Sequence, residues 1–323
     1  MNTLAEVTAL YQTHFNNLIF PSGPPLLYDS IRYFLNGGGK RIRPVLCLLG
    51  NQLFNEIHED AFHACHAIEL FHNYSLTHDD IMDSSPLRRN RPTLHVKYNT
   101  STAILAGDVL LIHAFTQINH LRELYKQPIA ALFTTTAQQI CEGQQMDVNF
   151  EATDLAAISY ADYLQMITYK TAVLLAASVR IGAIIGGATP QQQADSYDFG
   201  KNLGIAFQIQ DDYLDAFGDP AQTGKQPGGD ILENKKTALL IKTMELSNTS
   251  QQADLRAAMQ QDGAEKIAAV LQLYKACGAD KWAMQTIGEY TAAARNYLDQ
   301  ISVPPHRKSA LTELSNQLLE RKQ

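Results

Sequence analysis

The stretch His78-Asp79-Asp80-Ile81-Met82-Asp83 ends a long segment of apolar residues at helical spacing, and Arg88-Arg89 follows shortly after it. In a helix, Asp79 and Asp83 lie four residues apart on one face, where like charges repel. A hard divalent cation removes this repulsion, and proteins usually hold Mg²⁺ with one or two carboxylates together with substrate phosphates. The spacing therefore favours a metal site over a solvated acidic surface.

A second acidic cluster, Asp211-Asp212-Tyr213-Leu214-Asp215, repeats the pattern. One such cluster alone would be a weak signal, because acidic pairs on helices are usually solvated. Both clusters follow largely apolar residues, Tyr74 to Leu76 before the first and Phe207 to Ile209 before the second. Two clusters that face one cavity would hold a diphosphate through Mg²⁺.

The composition is that of a globular protein, with 323 residues of which 45% are hydrophobic and 18% are charged. This length suits one large domain or two ordinary ones. We find no domain boundary and no solenoid-type repeat, so residues 1–323 are expected to form a single domain. The formal net charge of −7 argues against general nucleic-acid binding, which depends on a basic surface.

The four cysteines, Cys47, Cys65, Cys141 and Cys277, show no metal-binding spacing, and three lie in apolar helical segments. These three are expected to be small core residues in a reducing cytoplasm. The first residues lack the basic start and apolar middle of a signal peptide. The most apolar run, 172–188, contains a serine and an arginine, so we predict a buried helix and no transmembrane segment.

Apolar residues recur at helical spacing along most of the chain, and alternating strand-like runs between turn signals are missing from the sequence. The sequence therefore predicts an all-α fold. The expected helices cover residues 4–20, 26–35, a segment starting at about 44, 60–82, 101–125, 128–149, 162–186, 191–217 and most of 236–323.

Two basic segments could bind an anion. In 37–43, a glycine turn lets the backbone approach an anion closely, and Lys40 and Arg43 could add charge. An ordinary solvated loop is the alternative for this segment. Arg88 and Arg89 could pair with the aspartates or grip phosphate oxygens, and both could hold in the empty protein.

Polar residues inside apolar helical segments are further candidates. His72 precedes Asp79 by about two helical turns and shares its face, so it could donate a hydrogen bond to a diphosphate. His63 and His66 are expected to be packing residues. Lys170 is better explained by a nearby anion or carbonyl group than by chance, although a snorkelling surface lysine is the alternative.

Residues 218–230 are too rich in glycine and proline for a helix. The segment directly follows the second acidic cluster and contains Lys225, with Lys235 and Lys236 shortly after it. We expect a mobile flap whose lysine reaches the bound diphosphate and helps to exclude water.

Together these motifs resemble the trans-prenyltransferases, the isoprenyl diphosphate synthases that make farnesyl, geranylgeranyl and longer diphosphates. The resemblance covers nearly the whole chain and rests on segments in family order: 38–44, 78–83 with Arg88-Arg89, Lys170-Thr171 and 207–215. It implies an all-helical bundle around a deep central active-site cavity and, usually, a homodimer.

The resemblance also implies a reaction. An allylic diphosphate loses its diphosphate, the double bond of isopentenyl diphosphate attacks the carbocation, and a proton leaves to give a chain one isoprene unit longer. In this family the proton is thought to depart to the released diphosphate, so no side-chain base is implied. The allylic starter could be dimethylallyl, geranyl or farnesyl diphosphate.

The residue roles that follow are those of the family, placed on matching positions. Asp79 and Asp83 would bind two Mg²⁺ ions and Asp211 a third, supported by Asp80, Asp212 and Asp215. The allylic diphosphate would be bound by Arg88, Lys170 and Lys225. Isopentenyl diphosphate would be bound by Lys40, Arg43, His72 and Arg89, with Gly39 and Lys235 as further substrate-binding candidates. Thr171 and Gln208 resemble the polar groups near the reacting carbons.

One position departs from the family pattern, which usually has Arg-Arg-Gly where this chain has Arg88-Arg89-Asn90. Asparagine tolerates a left-handed backbone better than other non-glycine residues. The turn is therefore expected to survive the replacement.

Product length in the family depends on the residues four and five positions before the first aspartate, which form a floor under the growing chain. Here they are Ser75 and Tyr74, and one aromatic beside one small residue resembles geranylgeranyl rather than farnesyl synthesis. Helix geometry places Ser75 about 40° from Asp79 around the axis and Tyr74 about 140° away, so spacing alone does not identify the floor. A farnesyl or longer product is the alternative.

Other classes of protein are disfavoured by the same residues. A terpene cyclase usually has an Asn/Ser/Glu metal motif in place of the second acidic cluster and needs no second diphosphate site. A non-catalytic regulatory subunit should have lost one or both clusters, and both are complete. A purely structural helical protein would leave the aspartates and cations unexplained.

Overall fold

The computed structural model describes residues 1–219 and 227–319, most of them helical, and it confirms the predicted all-α fold. A 3₁₀ turn covers Leu155–Ala157, a π-helical turn covers Thr168–Ala172, and two short strands are β1 (Leu87–Arg88) and β2 (Arg91–Pro92). In chain order the helices are α1 (Leu4–Asn16), α2 (Pro25–Leu35), α3 (Ile42–Gln52), α4 (Asp60–Met82), α5 (Leu94–Lys97), α6 (Thr100–Asn119), α7 (Glu123–Ala152), α8 (Tyr160–Ile167), α9 (Val173–Ile185), α10 (Pro190–Phe217), α11 (Gly229–Leu232), α12 (Ala238–Leu246), α13 (Thr249–Met259), α14 (Gly263–Ala276), α15 (Ala279–Gln300) and α16 (Pro305–Leu319).

The bounds of α4 are those that the sequence predicts, but the junction between α6 and α7 is not. The sequence predicts one helix across 120–122 and a break before Pro128, whereas the break falls at 120–122 and α7 continues through the proline. Arg122 Nε donates to Asp60 Oδ2 at 2.7 Å, which ties this link to the start of α4. Phe133 is buried, so apolar packing stabilises α7 despite the backbone hydrogen bond that the proline removes.

Residue contacts divide the described chain into two compact units. Unit 1 comprises residues 1–134, 177–194 and 303–311. Its core contains all of 45–49 from α3 and most of the first half of α4, together with Val179, Ile181 and Ala183 of α9.

Unit 2 comprises the described residues of 135–176, 195–302 and 312–319. Its core is built from α8, α10, α12 and α14, represented by Tyr163, Ile209, Leu239 and Tyr274. A capping box at Ser159, whose side chain accepts from the amide of Asp162, fixes the start of α8. The single domain and the central cavity expected from the sequence stay predictions.

The cysteines are free thiols, of which Cys47 and Cys65 are buried, Cys277 is half-buried and Cys141 is exposed. The expectation of three core cysteines therefore holds fully for only two. A buried thiol behaves as a small hydrophobic side chain, which fits the places of these two in the helical core.

Two helical segments are long and apolar enough to cross a membrane, judged by length and composition alone: Thr100–Asn119 and Tyr160–Ile185. Of the apolar stretch in each, 39% and 67% respectively is buried within the protein. One or two such helices are weak evidence, because buried core helices have the same composition. The run 172–188, predicted to be a buried helix, is buried over most of its length.

Candidate active site

The two arginines after the first acidic cluster lie in a hairpin in which β1 and β2 pair antiparallel. The turn residues Arg89 and Asn90 both have left-handed backbones, with φ of 52° and 59°. Two consecutive left-handed residues are typical of the tight turns that match strand twist. The expectation that Asn90 preserves the turn is confirmed. For Arg89 this conformation costs roughly 1–2 kcal/mol, and such strain is found mainly at functional sites.

The side chain of Arg89 folds back onto the glycine loop. Its Nη1 donates to the carbonyl of Gly38, and its guanidinium occupies the space beside Gly39. A Cβ at Gly39 would lie 2.9 Å from Nη2 of Arg89, and Gly39 has a φ of 137°, which L residues rarely adopt. Glycine is therefore required at position 39 both for the backbone and for the arginine.

Arg41 anchors the glycine loop from its buried side. It precedes α3 with a left-handed φ of 49°. Its guanidinium pairs with the buried Glu69, donates to the carbonyl of Leu35 at 2.8 Å and lies 4.2 Å from the ring centroid of Phe15. Because Glu69 already compensates the charge of Arg41, we interpret Arg41 as a residue that holds the glycine loop in place rather than as a ligand-binding residue.

The structure brings together three of the residues predicted to bind isopentenyl diphosphate. Arg43 Nη1 donates to Nε2 of His72 at 3.1 Å, and Arg89 lies near enough to affect both groups. Burial, with the charge of Arg89 beside it, lowers the pKa of Arg43 to about 10. Burial and then the charges of Arg43 and Arg89 hold the pKa of His72 well below its usual range. Since an arginine only donates, His72 is neutral with its proton on Nδ1.

This group, Arg43, His72 and Arg89, has the electrostatics of an anion site. Positive charges at short range lower each other's pKa, and an anion between them removes that penalty. Guanidinium forks match phosphate oxygens in geometry, and a neutral imidazole adds an N–H donor. The fourth predicted member, Lys40, is exposed at the end of the glycine loop.

We expect Gly39→Ala to weaken the binding of inorganic diphosphate about tenfold, because the new Cβ displaces Arg89 and removes a charge-assisted hydrogen bond. Calorimetry without Mg²⁺ measures this affinity. Gly38→Ala is the matched control, since Gly38 is also left-handed, with φ of 81°, but an added Cβ meets nothing within 4 Å. Equal weakening in both variants would contradict the role of Arg89.

The first acidic cluster divides into two parts. Asp79 is half-buried and Asp83 is exposed at the C-cap of α4. Asp80 is 1% exposed, and its Oδ1 accepts from Arg88 Nε at 2.7 Å. Burial raises the pKa of Asp80 against the opposing charge of Arg88. Asp80 is thus placed to position Arg88, and its predicted role as a metal ligand stays a prediction.

The donor set of the first cluster fits a hard cation that arrives with a diphosphate. Asp79 and Asp83 offer accessible carboxylate oxygens on one helix face. Among residues 1–219 and 227–319, no group of three or more His, Cys, Asp or Glu side chains is placed to hold a metal ion. Mg²⁺ usually completes its shell with phosphate oxygens and water, so two carboxylates suffice for the proposed mode of binding.

In unit 2, Lys170 and Thr171 lie in the π-helical turn within Tyr160–Ile185. Such turns occur mostly as local insertions and often at functional sites. Lys170 Nζ pairs with Asp147 Oδ2 of α7, and the lysine side chain is 26% exposed. The nearby anion expected for Lys170 is therefore found, and it is the carboxylate of Asp147.

Thr171 and Gln208 join a chain of hydrogen bonds that ends in a buried carboxylate. Thr171 Oγ1 donates to Gln208 Oε1 at 3.1 Å, and Gln208 Nε2 donates to Asp212 Oδ1 at 3.1 Å. Asp212 Oδ2 accepts from Tyr163 Oη at 2.6 Å and from the amide of Ala238 at 2.9 Å. Burial raises the pKa of Asp212 to about 7, against the effect of these donors.

The other aspartates of the second cluster face different partners. Asp211 is exposed, whereas Asp215 Oδ2 accepts from the amide of Asp230 at 2.9 Å. Burial raises the pKa of Asp230 against the charge of Lys235, and Asp211 lies close enough for its charge to raise this pKa further. Lys235 pairs with Asp230 and with Glu233.

Lys235 and Lys225 are the two remaining lysines that are predicted to bind substrate. The predicted contact of Lys235 with substrate stays a prediction, since its described partners are carboxylates of its own segment. Lys225, and with it most of the expected flap, lies outside the described residues.

Sequence reasoning missed several residues that position the site, namely Glu69, Asp147, Tyr163 and Asp230. Glu69 could have been found as a lone acid in an apolar stretch that must pair with a cation. Asp147 was visible as an isolated polar residue, but its partner was not. Tyr163 gives no signal in sequence, because a tyrosine in an apolar helix looks like ordinary core.

Comparison with known proteins gives a family match. A family model described as polyprenyl synthetase matches residues 24–277. That range contains both acidic clusters, the glycine loop, the basic hairpin and the π-helical turn.

Related proteins match over most of the chain. A short chain isoprenyl diphosphate synthase of Methanothermobacter thermautotrophicus is 34% identical over 99% of this chain and 98% of its own length. A geranylgeranyl diphosphate synthase of Sulfolobus acidocaldarius is 45% identical over 69% of this chain and 68% of its own. A crystal structure of a geranylgeranyl pyrophosphate synthase superposes with a TM-score of 0.94 at 39% identity and covers 100% of both chains.

Proposed function

Because the chain belongs to the polyprenyl synthetase family, we propose that it is a short-chain trans-prenyltransferase that condenses isopentenyl diphosphate with an allylic diphosphate, with geranylgeranyl diphosphate as the main product. The observation that carries the proposal is the pairing, in unit 1, of an anion site with an acidic cluster. Arg43, His72 and Arg89 suit a diphosphate that stays intact, while Asp79 and Asp83 suit a metal-bound one. An enzyme that condenses two diphosphate substrates, of which only one loses its diphosphate, needs both kinds of site.

The residues of this chain would act mainly by binding and orienting. Arg43 and Arg89 hold isopentenyl diphosphate by charge, and Nδ1–H of His72 donates to a phosphate oxygen. Arg88, held by Asp80, and Lys170, held by Asp147, are pre-oriented cations for the allylic diphosphate. Such preorganised charges stabilise the transition state because negative charge grows on the departing group.

Mg²⁺ is proposed as the cofactor, with three ions bound when diphosphate is present. Asp79 and Asp83 would hold two of them and Asp211 the third, with Asp215 in support. When bound, the ions would neutralise the charge that grows on the leaving diphosphate. On binding, that diphosphate would replace Asp147 as the partner of Lys170.

The test is to separate the products formed from labelled isopentenyl diphosphate with dimethylallyl, geranyl or farnesyl diphosphate, with and without Mg²⁺. We expect a Mg²⁺-dependent series of products that stops at geranylgeranyl diphosphate. A series that stops at farnesyl diphosphate or at a longer chain would support the proposed reaction but contradict geranylgeranyl diphosphate as the main product. No condensation with any starter would overturn the reaction and reopen the cyclase or regulatory-subunit alternatives.

We also propose a homodimer formed through α6. Its exposed face presents Ile104, Leu105 and Ile112, which are 42%, 55% and 63% exposed. The exposed Asp108 lies on the same face between Ile104 and Ile112, and exposed apolar side chains rimmed by polar residues often mark an interface. The same helix touches the catalytic region within unit 1, because the carbonyl of Ile104 lies 3.1 Å from Nε2 of His78, the residue before Asp79.

We expect Ile112→Lys to convert the dimer to a monomer, since an unpaired charge at a buried interface costs several kcal/mol. Light scattering coupled to size-exclusion chromatography measures the mass. Leu246→Lys is the matched control, because Leu246 is 47% exposed but lies on α12 rather than α6. A wild-type protein that elutes as a monomer, or an Ile112→Lys dimer, would contradict the proposal.

A further inference from the structure

Asp212 differs from the other aspartates of the two clusters in that its carboxylate is surrounded by donors. It is 7% exposed, and three donors converge on its oxygens: Tyr163 Oη, the Ala238 amide and Gln208 Nε2. The three contacts occupy both carboxylate oxygens, one on Oδ1 and two on Oδ2. Asp212 is therefore committed to the protein interior, unlike the exposed Asp211.

This commitment fixes the direction of the neighbouring hydrogen bonds. Gln208 turns Nε2 toward Oδ1 of Asp212 and Oε1 toward Thr171. Thr171 in turn donates its hydroxyl proton to Oε1 of Gln208. The order Tyr163, Asp212, Gln208, Thr171 thus sets how two polar groups near the proposed reaction centre are oriented.

We infer that Tyr163 is a positioning residue for the condensation: its hydroxyl holds Asp212, which orients the amide of Gln208 and the hydroxyl of Thr171. The inference rests on the proposed function. The contact at 2.6 Å is the shortest that Asp212 makes. Tyr163 is 2% exposed in the core of unit 2, where a phenylalanine would pack equally well without a hydroxyl to bury.

In Tyr163→Phe, Oδ2 of Asp212 keeps only the amide of Ala238, so the carboxylate can rotate and Gln208 loses its fixed orientation. We expect kcat to fall about tenfold, as for a modest misplacement of reacting groups, while KM for both substrates stays within about twofold of wild type. Tyr11→Phe is the control, because Tyr11 is 0% exposed and its hydroxyl donates to the carbonyl of Cys65, at 3.5 Å, in unit 1.

The decisive readout is a double-mutant cycle with Gln208→Ala. If Tyr163 acts through Gln208, Tyr163→Phe changes kcat less than about twofold in the Gln208→Ala background. A merely structural hydroxyl would cost the same factor in both backgrounds, and that result would overturn the inference.

Two further outcomes are separable. A wild-type protein without condensation activity would overturn the proposed function, whereas an active wild type with an unchanged Tyr163→Phe would overturn only the role of Tyr163. If Tyr163→Phe does not fold, Asp212→Asn tests the same chain, because an amide at 212 can present N–H to Gln208 and reverse its orientation. Full kcat in a folded Asp212→Asn would overturn the inference.

Discussion

Asp79→Ala and Asp211→Ala should each lower kcat about 10³-fold, because each removes a carboxylate that is proposed to hold the metal ions at the leaving diphosphate. The fold should survive both changes. Asp211 is exposed and Asp79 is half-buried, and substitutions at such positions usually change stability by about 0.5 kcal/mol or less. For Asp79 the change also removes its repulsion with Asp83, four residues away on the same face of α4. Single-turnover assays and thermal unfolding measure the two effects.

The controls for this pair are Asp80→Ala in the first acidic cluster and Asp254→Ala on α13. Asp80→Ala should lower both activity and stability, since it leaves Arg88 without its buried partner. Asp254→Ala removes an exposed carboxylate on α13 and should change neither. Wild-type protein should be stabilised by Mg²⁺ with inorganic diphosphate, and Asp79→Ala should lose much of this stabilisation. Near-normal turnover in both cluster variants would contradict the two-cluster mechanism.

The helical fold could be predicted because the local signals agree with the tertiary structure. Apolar spacing defined α4 and most of α10, whereas the first helix ends at Asn16 and not at the predicted residue 20. The break at 120–122 could not be predicted, because it depends on the contact of Arg122 with Asp60, 62 residues away in sequence. The π-helical turn was missed as well, since an inserted residue leaves the apolar pattern on either side intact.

For the candidate site, sequence gave the type of residue but rarely its partner. Arg43, His72 and Arg89 were grouped by family resemblance and are found together. The carboxylates that hold the cations were not foreseen: Asp147 lies 23 residues from Lys170, and Glu69 lies 28 residues from Arg41. Such pairs are set by how helices pack, and helical periodicity carries no information about which faces meet.

The structure shows which aromatic rings pack against Tyr74, and helix spacing alone did not indicate this. Its ring lies 5.4 Å from that of Phe71 and 4.8 Å from that of His78, measured between centroids. Phe71 in turn packs at 5.5 Å against Phe133, which packs at 5.4 Å against Phe115. Tyr74 therefore lies between His78 and Phe71 in a run of packed rings in unit 1, and Ser75, whose hydroxyl donates to the carbonyl of His72, is not part of it.

Tyr74→Ala should shift the main product from geranylgeranyl diphosphate to a longer chain, because removing the ring opens space in front of Phe71. The extension should be limited, since Phe71 and Phe133 are each 1% exposed and remain packed behind it. Adding Phe71→Leu should lengthen the product further, and this change keeps most of the core volume and should cost less than about 1.5 kcal/mol. Chromatography of the products after removal of their diphosphates measures chain length.

Ser75→Ala is the control for chain length, because the serine is already small and lies outside the aromatic group. Its product should match that of wild type, whereas Tyr74→Ala should not. An unchanged product in Tyr74→Ala would show that the floor is built elsewhere, and Tyr74 would then be a packing residue of α4 alone. A longer product in Tyr74→Ala that Phe71→Leu does not extend would instead place the next barrier outside this aromatic group. Tyr74→Ala and Ser75→Ala leave the acidic cluster and the anion site intact, so each variant should still turn over isopentenyl diphosphate. This turnover separates a change in product length from a loss of catalysis.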